Sequence, residues 1–307
     1  MLKTVITGAT SFLGVEVAQA FLRQGHAVTA ICRRGSRGLA DLPEGVSVVY
    51  AELPEYARLA EFISHADIFV HLAWGGTGHD GRDNTEVQEE NIRCSKEAMI
   101  AAHAMGCQLF VMAGSQAEYG STDEPQREDM PCDPFSEYGK AKLRVRQACA
   151  QLAEQLGMKY MHLRIFSLFG ENDHPWTLVM SCVDKMLRHE TMDLSDCTQN
   201  WNFLYVRDAA EQIVRLSAYA LQSDSFRAET YNIVSDDTRP LRDFVERIYA
   251  LTGSHSELHF GAVQPAHRVS LQPDTTHLQQ AIGEPIAKHQ FDEVIRRIID
   301  KYNDKTI

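Results

Sequence analysis

Short apolar runs, many of them β-branched, alternate along the first half of the chain with longer stretches whose apolar positions recur every three or four residues. The short runs, at 2–7, 27–32, 46–50, 67–72, 108–113 and 159–166, read as buried strands. The stretches between them, at about 12–24, 55–64, 84–105 and 136–157, read as amphipathic helices. This alternation predicts an α/β fold with a doubly wound parallel sheet and a ligand crevice at the carboxyl ends of its strands. Past Gly170 the pattern loosens. Helices are expected near 176–189, from Asp208, near 240–252 and at 290–302, with the segment Gln199 to Val206 and a strand at 230–234 between them.

The first strand runs into Thr7-Gly8-Ala9-Thr10-Ser11-Phe12-Leu13-Gly14, which opens a helix. The spacing is G-x-x-G-x-x-G with Ser11 in the middle glycine's place. Gly8 permits a tight turn and Gly14 a close helix–sheet approach. Backbone N–H groups at the helix start, around Thr10, Ser11, Phe12 and Leu13, can then face a pyrophosphate. The position directly after strand one, inside a βαβ unit, is the context that gives the turn its meaning. It makes residues 1–169 a dinucleotide-binding Rossmann domain, followed over 170–307 by a smaller mixed α/β substrate lobe with some segments returning to the main domain. No Pro/Gly linker separates the two parts.

The end of the second strand distinguishes the two nicotinamide dinucleotides. An acid there accepts from the ribose 2′-OH of NAD. Here the strand ends Ala30-Ile31-Cys32-Arg33-Arg34, with Arg37 close behind and no acid. A guanidinium holds a 2′-phosphate bidentately, so NADP(H) is favoured and NAD(H) is the alternative.

The most specific signal is Tyr138-Gly139-Lys140-Ala141-Lys142. Tyr138 and Lys142 lie one helical turn apart on the same face. A free tyrosine has a pKa of about 10, and a cation one turn away would stabilise its phenolate and fit it for proton transfer near neutrality.

With these motifs in one chain, the sequence resembles the extended short-chain dehydrogenase/reductase family of sugar-nucleotide epimerases, dehydratases and ketoreductases. Further matching stretches are Val70-His71-Leu72-Ala73, Asn91, Ser115 to Gly120, Leu163 to Gly170, Phe203 to Asp208 and Tyr231-Asn232-Ile233. The resemblance implies that Ser115 completes a Ser-Tyr-Lys triad by orienting the reacting oxygen, with Gln116 beside it facing substrate. It places Leu72, Ala73, Trp74, Asn91 and Phe166 around the cofactor, Lys142 on its ribose, and Glu52-Leu53 where relatives contact adenine with Asp-Leu. It puts Ser167 and Arg268 near a substrate diphosphate, and it implies a homodimer.

Departures from the family narrow the reaction. Dehydratases carry Thr-Asp-Glu where this chain has Ser115-Gln116-Ala117, and the acid pair is what eliminates water. The epimerase-reductases that abstract a C–H proton use a cysteine where Ala117 stands. Trp201-Asn202 replaces a usual Arg-Asp, and Ser167 a usual asparagine. What remains is alcohol/ketone exchange at one carbon: reduction of a 4-keto sugar nucleotide by NADPH, with an NAD-dependent C4 epimerase as the alternative. A third reading, an NADP-binding regulatory protein without turnover, sits poorly with the presence of both Tyr138 and Lys142.

Composition adds exclusions. A net charge of −12 argues against nucleic-acid and anionic-membrane partners, leaving a small-molecule substrate. No apolar run approaches the roughly 20 residues of a membrane span, and no signal sequence precedes the first strand. Seven cysteines without a C-x-x-C pair fit a reduced, cytoplasmic protein, and no metal site is expected. His255 and His259 share a helical ligand spacing, yet read as surface histidines near a turn.

Overall fold

Each apolar run of the first half forms one strand of a single parallel sheet. The computed structural model describes the backbone of residues 1–306, and the side chains of these except 79, 80, 305 and 306. The sheet holds β1 (Lys3–Thr7), β2 (Ala27–Cys32), β3 (Ser47–Tyr50), β4 (Ile68–His71), β5 (Leu109–Ala113) and β6 (Lys159–Ile165). A seventh strand, β10 (Ala228–Ile233), joins beside β6, giving the order β10-β6-β5-β4-β1-β2-β3 with every neighbour parallel. The order reverses between β1 and β4, so the crevice opens where their carboxyl ends diverge.

Central strands bury both faces, which is why they read as continuous apolar runs rather than alternating ones. One face packs against α1 (Phe12–Arg23) and α7 (Val206–Gln222), the other against α4 (Thr85–Ala104) and α5 (Glu137–Leu156). The stretch expected as a helix at 55–64 is instead a 3-10 turn, Leu53–Arg58, followed by one turn of α2 (Leu59–Phe62). Pro54 and a capping box between Glu52 and Glu55 start the chain early, and only Tyr56 and Leu59 are buried there. One short helix, α3 (His79–Arg82), lies in the loop before α4.

The strand expected over 159–166 ends at Ile165. At Phe166 the chain leaves the main sheet and enters β7 (Ser167–Phe169) of a second, three-stranded sheet with β9 (Asn200–Tyr205) and β11 (Thr238–Pro240). A two-stranded sheet pairs β8 (Met192–Leu194) with β12 (Leu258–Phe260), and α6 (Leu178–Leu187), α8 (Leu241–Thr252), α9 (Thr276–Ile282) and α10 (Phe291–Thr306) complete the fold. The core runs from the α1/α7 face into this region without a break. Phe169, Phe203, Phe244 and Phe291 meet there at centroid distances of 4.8 to 6.0 Å. β8, β11, β12 and α9 had no counterpart in the sequence pattern, because elements of three to seven residues are too short to show a period.

Candidate active site

The turn after β1 is made of backbone. Gly8 has φ +67°, and a Cβ there would stand 2.8 Å from the Ala73 nitrogen. A Cβ on Gly14 would run into the Gly8 carbonyl oxygen. Both glycines are therefore required by space, one between β1 and β4 and one between the turn and α1. Ser11 is the N-cap of α1, its hydroxyl accepting from the Gly14 N–H at 3.0 Å. The open start of α1 points into the crevice, and this cradle of close-packed backbone fits the pyrophosphate of a dinucleotide. Beneath it, Thr7 Oγ1 meets His71 Nδ1 at 2.8 Å and accepts from the Ala73 N–H, while His71 Nε2 meets Ser95 Oγ at 3.1 Å. Complete burial pushes the His71 imidazole down to about 3, with the Lys142 charge adding to the effect, so it is neutral.

The loop following β4 is held by α4. Asn91 accepts from the Gly75 N–H at 2.7 Å and donates back to the Gly75 carbonyl at 2.9 Å. The Trp74 indole donates to Gln88, whose amide donates in turn to the carbonyls of Gly76 and Gly81. Asn91 thus stands as a loop clamp, and Trp74 is part of the crevice wall.

At the end of β2, Arg33 is exposed, whereas Arg34 is engaged. The Arg34 N–H donates to Glu52 at 3.2 Å and its guanidinium pairs with Glu55 at 3.4 Å. Two carboxylates therefore stand where no acid is adjacent in sequence, brought there by the 3-10 turn after β3. Thr10 and Ser36 join hydroxyls at 2.8 Å across the same corner.

The polar centre lies between β5 and α5. Ser136 caps α5 through the Gly139 N–H. Gly139 lets the helix start approach the Ala117 carbonyl, which brings Tyr138 to the turn bearing Ser115. The Ser115 hydroxyl accepts from the Ala117 N–H at 3.1 Å, leaving its own proton free to donate toward the Tyr138 phenol. Burial pushes the Tyr138 phenol up, while Ser115 and the Arg82 guanidinium, 4.5 Å from the ring centroid, pull it back. Lys142 is buried. Its ammonium donates to the Ala113 carbonyl at 2.6 Å, stands 3.6 Å above the Trp74 ring, and lies 5.6 Å from the Tyr138 ring centroid. Burial pushes its pKa down to about 7 against the raising effect of Glu118. The sequence pointed to Lys142 as the cation beside the phenol. The structure adds Arg82, on a loop whose spacing carried no signal.

Other motif residues are spread more widely. Gln116 opens the turn after Ser115, and Phe166 is buried against Tyr119 where the chain changes sheets. Ser167 is the first residue of β7, half-buried. Arg268 is exposed and donates to Thr198. Trp201-Asn202 is structural in part: Asn202 is buried and clamps the Ser235 N–H and carbonyl. His259 is not helical but lies in β12 beside Asp193. Among the described residues, no cluster of three or more His, Cys, Asp or Glu is arranged to hold a metal, and no helix is long and apolar enough to cross a membrane. A cleft of about 720 Å³ between Arg127, Glu229 and His277 at the β10 edge includes none of the crevice residues.

Residues 4–233 match the NAD dependent epimerase/dehydratase family. The chain belongs to that family. It is an enzyme of the extended short-chain dehydrogenase/reductase type, built to bind a nicotinamide dinucleotide. Among curated relatives of the family, an uncharacterized UDP-glucose epimerase of Bacillus subtilis (strain 168) is 23% identical over 280 residues, covering 84% of this chain and 85% of the relative. A dTDP-6-deoxy-L-talose 4-dehydrogenase (NAD(+)) of Aggregatibacter actinomycetemcomitans is 25% identical over 254 residues, covering 80% and 89%. The crystal structure of a UDP-glucose 4-epimerase from Thermotoga maritima with UDP-glucose shares the fold at a TM-score of 0.86 and 19% identity, over the whole of both chains.

Proposed function

We propose that this enzyme interconverts an alcohol and a ketone at C4 of a sugar nucleotide, acting as a reductase of a 4-keto sugar nucleotide. The meeting of Tyr138 with the Ser115 turn, where Gly139 abuts the Ala117 carbonyl and Lys142 stands behind the phenol with Gln116-Ala117 beside it, is the observation that supports this reading. The nicotinamide cofactor, when bound, supplies or accepts a hydride. The chain's own part is to handle the proton. Tyr138 donates it to the developing alkoxide during reduction, Ser115 donates a hydrogen bond that orients the same oxygen, and Lys142 makes up the charge. Elimination of water needs an acid and a base at the neighbouring carbons, and neither Gln116 nor the methyl of Ala117 can serve. The Aggregatibacter relative supports the same reading, since its name describes redox change at one carbon of a 6-deoxy sugar.

Gly8, Thr10, Ser11, Phe12, Leu13 and Gly14 would hold the pyrophosphate, with Leu72, Ala73, Trp74 and Phe166 lining the nicotinamide half. Arg33 favours NADP(H). Arg34 contributes less than the sequence suggested because Glu55 already pairs with it, and Glu52, Glu55 and the NAD(+) in the relative's name keep NAD(H) as the alternative. Ser167 and Arg268 are proposed for the substrate diphosphate. A homodimer is proposed from the resemblance, and a cytoplasmic location from the seven free cysteines, which agree with a reducing compartment.

The second reading, C4 epimerisation with a retained cofactor, is favoured by the Thermotoga neighbour and the Bacillus relative. One experiment separates the two. Purified enzyme is given a 4-keto-6-deoxy sugar nucleotide with NADPH or NADH, and separately a UDP-hexose, and products are read by mass spectrometry. Consumption of reduced cofactor with a gain of two mass units supports the reductase. Interconversion of C4 epimers without net cofactor use supports the epimerase, and loss of water from the parent sugar overturns the argument from Gln116-Ala117.

A further inference from the structure

Beneath the Ser115 turn lies a polar cluster to which the motifs assign no role. Glu118, His162 and Arg164 are all inaccessible to solvent. One Glu118 oxygen accepts from the Ser115 N–H at 2.9 Å and meets His162 Nε2 at 2.8 Å; the other accepts from Arg164 Nε at 3.0 Å. His162 Nδ1 meets the Tyr160 hydroxyl at 2.9 Å. A carboxylate can only accept, so Nε2 carries the imidazole proton and Nδ1 accepts from Tyr160. A Cβ on Gly114 would collide with the His162 ring and stand 2.5 Å from Glu118. The ion pair therefore lies directly under Ala113-Gly114-Ser115, the segment whose ends are the acceptor for Lys142 and the hydroxyl that faces Tyr138.

We propose that Glu118 is a positioning residue of this site, fixing the Ser115 turn through its backbone N–H and placing a buried negative charge beneath the Ala113-Gly114-Ser115 segment that receives Lys142. The inference rests on the reading of Ser115, Tyr138 and Lys142 given above.

The surrounding groups leave Glu118 to play this part. Facing Lys142 are His71 of β4, His162 of β6 and Glu118. Burial holds both histidines in their neutral form. Facing Tyr138 are Ser115, Arg82, Lys142 and Glu118. Around Glu118 stand Arg164, and Tyr119, Cys132 and Tyr160, whose protons burial retains. Burial by itself would raise the Glu118 carboxyl, but His162, Arg164 and the Ser115 N–H hold it down at about 2. It is ionised throughout the working range.

The sign of the test follows. An anion raises the pKa of every neighbouring acid, so removing it lets the Tyr138/Lys142 pair lose protons at lower pH. Tyrosinate absorbance of Glu118→Gln is titrated and corrected with the same variant carrying Tyr138→Phe. The Tyr138 step should move acidward by about one pH unit relative to the parent, and the limb of the pH–rate profile near pH 7 should move the same way. A folded Glu118→Gln with both unmoved overturns the proposal, because a merely structural ion pair would change stability without moving either. Where Glu118→Gln does not fold, Glu118→Asp keeps the charge but draws it back from the turn. Its kcat should fall about tenfold with the KM for cofactor unchanged, and a parent-like kcat is the overturning result. Parent-like turnover in Tyr138→Phe would instead defeat the underlying reading.

Discussion

The two halves of the crevice are built from different materials. At the phosphate turn the chain offers backbone: two glycines forced by space, a helix start and a serine cap, with no buried charge. At the Ser115 turn it offers side chains in a dry interior, where Lys142, Glu118 and Arg164 all carry charge below the surface. The first half should fail when a methyl group is added, and the second when a charge is moved. Geometry is the limiting resource on one side and electrostatic balance on the other.

The comparison can be broken most sharply by Tyr138→Phe, which should lower turnover by roughly 10²–10⁴-fold. Cofactor affinity, read by fluorescence titration, should stay at the parental value. Gly8→Val is the mirror image. Its side chain meets the β4 loop at a positive φ, so cofactor affinity should fall at least tenfold, and the melting temperature should drop with it. An intact melt and intact binding would show that the turn is looser than its geometry implies.

Lys142→Met sharpens the contrast by separating stability from function. An ammonium with pKa about 7 folded and about 10.5 unfolded opposes folding at neutral pH, and the opposition fades as pH rises from 7 toward 10.5. The variant should be slower yet melt higher than the parent at pH 7, with the gap narrowing by pH 10. A lower melting temperature at pH 7 would mean that Lys142 is a net stabiliser. Smallest in effect is Arg33→Asp, expected to change the ratio of NADP(H) to NAD(H) affinity by about tenfold toward NAD(H). An unchanged ratio would remove Arg33 from cofactor selection.

These same differences govern what could be read from the sequence. The parallel sheet and the phosphate turn were legible because glycine spacing and apolar runs are local properties. Tyr138 and Lys142 were legible because a helix brings residues four apart together. The cluster that Glu118 forms with its partners was not, although Glu118 and Arg164 each stand in a matching stretch. Glu118, His162 and Arg164 are separated by up to 46 residues, and only the alignment of β6 beside β5 makes them one cluster. The carboxylate neighbours of Arg34 were hidden for the same reason, since they arrive from the turn after β3. Phe166 read as the end of a strand, whereas a switch between sheets has no local mark.

Ser11 has a kinetic meaning beyond its fit. Because its hydroxyl already occupies the Gly14 N–H, α1 turns the amides of Phe12 and Leu13, rather than all three, toward a visiting anion. Fewer charge-assisted hydrogen bonds mean a shorter residence time for whatever dinucleotide sits there. A resident cofactor that is regenerated in place gains nothing from leaving quickly. One that departs oxidised and must be replaced after every turnover sets the ceiling on the enzyme's speed by how readily it lets go.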